Sequence, residues 1–208
     1  MALQYILLIV LLTLSVIYGA TETKSVRAQP TVRLMNAARG EVLMPVVGLG
    51  TFGYGRPDGS RGEYWGPEQG HNATIAWLKV GGRRLDSSDN YASQPGIGTG
   101  WKASGVPRSE IFITSKVDAN GYNETLTAFD GVLQALQTDY VDLFLIHWPG
   151  NFRSGPNDPS CKKGQHTWAE CRIQTWRALE TIFNQQKVRY FSCLFLFEIL
   201  CFRLVLSV

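Results

Sequence analysis

Apolar and polar positions along this chain fall into two rhythms, set between an apolar beginning and an apolar end. From Leu3 to Ile17 the run is almost purely apolar, without acid or base. Gly19 and Ala20 follow, and polar sequence begins at Thr21. Val32–Met35 and Glu41–Met44 then bracket Asn36–Gly40 as the arms of a hairpin bracket a glycine-containing turn. Val46–Phe52 is a second apolar run, broken by Gly48 and Gly50. Glycine inside a strand pattern marks close backbone approach, here by a ligand. After a Gly/Pro-rich loop, Tyr54–Gly66, the spacing predicts a helix over Pro67–Val80 with Ile75, Ala76 and Leu78 on its apolar side. A short strand at Arg83–Ser88, a helix at Pro95–Ser104 ending at Gly105, and a strand at Glu110–Val117 come next. Leu126, Phe129, Val132, Leu133 and Leu136 recur at helical spacing over Asn123–Leu136, behind an Asn123 cap. Val141–Trp148 is nearly continuous in apolar residues, as a strand buried on both faces is. A long loop, Pro149–Thr167, precedes a helix over Glu170–Asn184 whose Ile173, Trp176, Leu179 and Ile182 face the core.

Strands alternating with helices predict parallel βαβ units, hence an α/β fold. Counted from Val46, four strands and their helices precede the change of character near Arg189, which amounts to half of a (β/α)8 barrel preceded by a β-hairpin. The 208 residues are also short for a closed TIM barrel, which takes ~250. Residues 1–20 read as a secretory signal peptide, or alternatively as an uncleaved signal anchor, and residues 21–30 as a spacer. The expected location is therefore secreted or in the ER lumen, or membrane-anchored if the leader stays. Asn-x-Thr sequons at Asn72 and Asn123 fit a luminal route. The net charge of +3 is weak and scattered, which argues against a nucleic-acid partner. Four cysteines lie late in the chain; Cys161 and Cys171 flank a polar loop and could form a local disulfide or stay as thiols. No CxxC pair or Cys/His cluster has metal-ligand spacing, so no metal is expected.

Chemistry concentrates at three strand ends. Asp86 closes one strand, with Tyr91 five residues on; Lys116 lies near the end of the next, and His147 at the end of the third. In a parallel barrel these ends open on one mouth, where ligands bind. The residue types suit carbonyl reduction. A phenol, with its ordinary pKa near ~10, is a poor acid at neutral pH. A neighbouring ammonium would lower that pKa, and a carboxylate would hold the ammonium in place. An imidazole can orient the carbonyl, while the hydride must come from a cofactor.

These segments resemble the aldo-keto reductases. Arg83, Leu85, Asp86, Ser87, Ser88, Gln94, Ile97 and Gly98 match that family's pattern around its first catalytic pair. Arg108–Lys116 is similar to its lysine strand and Asp139–Pro149 to its histidine strand. The resemblance covers residues 31–189. It implies an NADP(H)-dependent oxidoreductase that reduces an aldehyde or ketone. Tyr91 would be the proton donor, Lys116 its pKa-lowering neighbour, Asp86 the lysine's partner and His147 the substrate-orienting group. It also implies that Gly50, Thr51 and Phe52 lie beneath the nicotinamide, that Asp86 lies beside its ribose, and that Trp148 lines the substrate site with His147. Phe52, Tyr54, Trp65 and Trp148 would wall an apolar pocket.

Beyond Arg189 the resemblance stops. Residues 190–208 form an apolar tail without the family's later cofactor residues, so a truncated chain is expected, with open sheet edges prone to self-association. Two alternatives stand beside the reductase: a catalytically inactive fragment, and a membrane-associated binding protein that uses its two apolar ends.

Overall fold

The computed structural model describes residues 29–34, 41–53, 64–148 and 168–194. The leader, the hairpin turn, the loops holding Tyr54, Cys161 and His166, and the tail with Cys201 lie outside the described residues. Strands β1 (Thr31–Leu34) and β2 (Val42–Pro45) pair antiparallel, with Thr31 opposite Pro45 and Leu34 opposite Val42. The remaining elements alternate: β3 (Leu49–Gly50), α1 (Pro67–Lys79), β4 (Arg84–Asp86), α2 (Gln94–Ser104), β5 (Phe112–Val117), α3 (Tyr122–Leu136), β6 (Val141–Ile146), α4 (Trp168–Asn184) and β7 (Val188–Cys193).

Strands β3 to β7 form one parallel sheet in sequence order, each hydrogen-bonded to the next. A monotonic order with a helix after each strand is the wall of a (β/α)8 barrel. A doubly wound sheet would reverse its order part-way. All six residues of β5 and all six of β6 are buried, and β6 accordingly reads as a nearly continuous apolar run. The outward side packs Ile113, Val117, Phe144 and Ile146 under Leu78, Ile97, Phe129, Val132, Leu179 and Ile182. There Phe129 and Phe144 meet edge to face at 4.9 Å. Each such fully buried side chain stabilises the fold by roughly 1.5–3 kcal/mol. The inner side is lined by Phe112, Leu143 and Leu145, and the hairpin seals its base with Leu34, Val42 and Met44.

Two details differ from the sequence expectation. Helix α1 does not bury Ile75 and Ala76 but Gly70, Thr74 and Leu78. It lies so close to α2 that a Cβ on Gly96 would stand 1.9 Å from the Pro67 carbonyl oxygen. Small residues, not large apolar ones, make that contact. Asn123 is an exposed residue in the first turn of α3 and not its cap. Gly121 caps the helix, and its N–H donates to Thr175 Oγ1 on α4 at 2.9 Å. Gly105, by contrast, ends α2 in the left-handed conformation (φ 71°) that the sequence anticipates. The apolar stretch from Tyr190 begins as strand: β7 pairs with β6 through Ile146 and Cys193. Among the described residues no helix is long and apolar enough to cross a membrane.

Candidate active site

The sheet ladder continues past its strand ends and fixes the loops that bear the polar groups. Ser87 N–H donates to Thr114 O, Asp89 N–H to Lys116 O, and His147 N–H to Val117 O, at 2.8, 3.0 and 2.8 Å. Tyr91 N–H then bonds Ser88 O, turning the chain so that the phenol ring lies over the rim. Beside it, Thr51 donates its hydroxyl to Asp86 O at 2.8 Å and Ser93 donates to Thr51 O at 2.7 Å, tying β3 to β4.

The four residues that the sequence singles out come together on this rim. Lys116 Nζ donates to Asp86 Oδ1 at 2.6 Å and to Ser87 O at 2.8 Å, and lies 5.1 Å from the centre of the Tyr91 ring. His147 meets the same ring edge-on at 5.9 Å. The ammonium is buried, whereas the Asp86 side chain is 28% exposed and so open to a ligand. Phe52 packs on Tyr91 and on Tyr64, each at 4.9 Å, and is itself exposed at the mouth. Trp148 stacks beside His147 at 5.6 Å. Trp65 covers Gly53 behind that wall and is half-buried. Nothing lies within 4 Å of the place where a side chain on Gly50 would stand, so a flat group can approach the backbone there.

One electrostatic expectation is reversed. Burial, followed by the charges of Asp86 and Asp118, pushes the Tyr91 phenol up to about 12. The Lys116 ammonium makes its short hydrogen bonds to Asp86 and Ser87. Burial also lowers the Lys116 pKa, against the pull of Asp86. His147 is held at about 4 by burial and by Lys116, so its ring is neutral at physiological pH.

Sequence reasoning passed over the partners of the imidazole. Ser88 Oγ lies 3.3 Å from His147 Nδ1, 3.1 Å from Asp89 Oδ1 and 3.4 Å from Lys116 O. Asp118 Oδ1 stands 3.9 Å from the same nitrogen. Ser88 is visible in the motif only as one of two small residues, and nothing in its spacing announces a contact 59 positions away. Elsewhere, His71 Nδ1 bonds Thr99 Oγ1 at 2.8 Å in an exposed contact. Cys171 and Cys193 are both disulfide-bonded. Among the described residues no group of three His, Cys, Asp or Glu side chains gathers as a metal site requires.

Comparison with known proteins places these features in context. Residues 46–193 match the model of the Aldo/keto reductase family. A glyoxal reductase of Bacillus subtilis is 39% identical over 164 residues, which cover 76% of this chain and 47% of the relative. Among solved structures, an aldo/keto reductase from Brucella melitensis superposes with a TM-score of 0.66 at 28% identity, over 86% of this chain and 59% of the other. A Bombyx mori aldo-keto reductase in complex with NADP shares the fold, with a TM-score of 0.61 at 24% identity, over 79% of this chain and 50% of its own. The chain spans about half the length of the curated relatives it matches.

Proposed function

The chain belongs to the aldo/keto reductase family, and from that premise we propose that its rim serves the reduction of a small aldehyde or ketone to an alcohol with NADPH. The supporting observation is the convergence of Asp86, Lys116, Tyr91 and His147 at the C-terminal ends of three adjacent parallel strands. The residues present fit a nicotinamide. Gly50 leaves open space beside the backbone, Phe52 offers an exposed ring edge, and Asp86 has a carboxylate surface free for a ribose hydroxyl.

NADPH supplies hydride to the carbonyl carbon when it is bound. The protein's share is to hold the substrate and deliver a proton. With a pKa of about 12, the Tyr91 phenol keeps its proton throughout the physiological range and releases it only to a stronger base, such as the alkoxide oxygen that forms as the carbonyl is reduced. Lys116 lies 5.1 Å from the ring, and Asp86 keeps the ammonium in position. His147, neutral and buried, offers Nε2 to the bound substrate, and Phe52 and Trp148 wall the apolar side of the pocket.

The test is NADPH consumption by the folded chain with glyoxal and other small carbonyls, glyoxal because the Bacillus subtilis relative is named for it. Turnover that disappears in Tyr91→Phe is expected; a folded chain with no carbonyl-dependent oxidation of NADPH would overturn the proposal. We further propose that residues 1–20 deliver the chain to an oxidising compartment, a reading supported by the disulfides at Cys171 and Cys193. Glycosidase-sensitive glycans on Asn72 or Asn123, both exposed, would follow from that route. A chain recovered unglycosylated, with reduced cysteines, would count against it.

A further inference from the structure

Arginines on and beside the parallel sheet differ in how their charge is met. Arg83, Arg108 and Arg189 each reach a carboxylate, that of Glu110 or Asp142. Arg84 does not. Among the described residues its side chain donates one long hydrogen bond, from Nη1 to the Pro45 carbonyl at 3.4 Å, and its Nε is buried without a partner. We propose that Arg84 makes the nicotinamide site discriminate between the two redox states of its cofactor, so that NADPH is held and NADP⁺ is disfavoured. The step rests on the nicotinamide site proposed at Gly50.

The strand register places the guanidinium. Leu85 lies in the outward core, so its neighbours along β4, Arg84 and Asp86, both face the inner side. Gly50 pairs with Asp86, which sets Gly48 beside Arg84. There the arginine stem crosses the neighbouring strand: a Cβ on Gly48 would stand 3.0 Å from Arg84 Cγ and Cδ. Gly48 and Gly50 are two residues apart, roughly 7 Å along an extended strand. The open space over Gly50 is therefore close enough to feel the charge. A second observation agrees, since the Arg84 charge is felt on the same face at Lys116, whose proton affinity it lowers.

The acids of the rim would by themselves attract a cationic ring. Asp86 is already paired with Lys116 at 2.6 Å, and Asp89 and Asp118 lie in the loops beyond the strand ends. Arg84 acts from the floor. Its neighbours there, Phe112, Leu143 and Leu145, are buried and apolar and do little to screen it. The nicotinamide ring is neutral in NADPH and carries one positive charge in NADP⁺, while the phosphates are common to both. A fixed cation near the ring acts on the difference between the two forms, and its sign favours the reduced one. The same charge opposes the positive charge that grows on the ring as hydride leaves. The preference is thus expressed in cofactor exchange, and hydride transfer gains nothing from it.

Binding of the two forms to the full chain measures this without turnover, NADPH by its own fluorescence and NADP⁺ by calorimetry. The ratio Kd(NADP⁺)/Kd(NADPH) is expected to fall about three- to ten-fold in Arg84→Met, which keeps the apolar stem and removes the charge. Arg84→Lys restores the charge and should restore the ratio. A merely structural Arg84 would move both constants together. If Arg84→Met does not fold, Arg84→Gln removes the charge and can still donate to the Pro45 carbonyl. A ratio unchanged in the uncharged variants, or lowered equally in Arg84→Lys, would sink this inference and leave the reductase proposal standing. A folded chain that binds neither form would sink the nicotinamide site and this inference with it. Binding of both forms without carbonyl turnover would sink the reductase proposal alone.

Discussion

Two buried charge clusters stand at opposite ends of the same parallel sheet, and they are finished differently. At the N-terminal ends of the strands, Asp142 is 1% exposed. It receives Arg108 Nη2, Arg189 Nη1 and the Ile113 N–H, all at 2.9 Å, and Arg108 also stacks over the Tyr140 ring at 4.0 Å. At the C-terminal ends, Asp86 receives one cation at 2.6 Å and keeps more than a quarter of its side-chain surface open. The first cluster spends its hydrogen-bonding capacity on the fold. The second holds capacity in reserve, and among the described residues the hydroxyl of the neighbouring phenol and Nε2 of the imidazole have no hydrogen-bond partner. The general lesson is that an ion pair with unfilled valence, not its burial or its distance, marks the working end of such a sheet.

That contrast can be broken at either end. The largest effect is expected from Tyr91→Phe, which should lower kcat/KM by about 10²–10⁴-fold while leaving the denaturation midpoint unchanged. A variant that unfolds instead would place Tyr91 among the structural residues. Next, Asp142→Ala should destabilise the chain by about 3–5 kcal/mol in denaturant titration, because it strands two guanidinium groups and a backbone N–H. The KM of whatever remains folded should not move. A normal midpoint with altered kinetics would invert the comparison. At the rim, His147 couples stability to acid. The folded ring resists protonation until about pH 4, whereas the unfolded ring takes its proton near 6.5. The unfolded state therefore binds more protons in that window, and stability falls as the pH drops through it, by up to about 3 kcal/mol. His147→Gln should flatten that slope in pH-dependent denaturation, and an identical slope would show that other groups carry it. The smallest effect belongs to Arg189→Ala. The Arg189 side chain is 44% exposed and Arg108 still holds Asp142, so the loss should be about 1 kcal/mol or less. A loss as large as that of Asp142→Ala would mean that the far cluster is less redundant than its geometry implies.

Much of this arrangement is legible in the chain before any coordinates. The nearly continuous apolar run of β6 announces a strand covered on both faces, and the helical spacing from Leu126 to Leu136 announces α3. Asp86, Tyr91, Lys116 and His147 can be read because strand ends in parallel units share a rim, so order along the chain converts into proximity. Features that depend on distance between side chains do not convert in this way. The α1–α2 contact is made of Gly70, Gly96 and Gly100, which carry no hydrophobic signal. The upward shift of the Tyr91 phenol comes from its burial and from the charges of Asp86 and Asp118, and sequence supplies only that an ammonium is near. Ser88 illustrates the same limit: a small residue beside a catalytic motif reads as spacing until its hydroxyl is seen against an imidazole from another strand.

The hairpin has a kinetic consequence. Every strand in the parallel sheet joins its successor in sequence, so those units can dock one after another. The hairpin does not follow that rule. Leu34, Val42 and Met44 share a cluster with Tyr190, roughly one hundred and fifty positions downstream, and that contact forms only once nearly all the strands are in place. It acts as a latch fastened last. Substitutions at Val42 should accelerate unfolding far more than they slow folding, and Phe112, Leu143 and Leu145 should be the first inner side chains to meet water when the chain breathes.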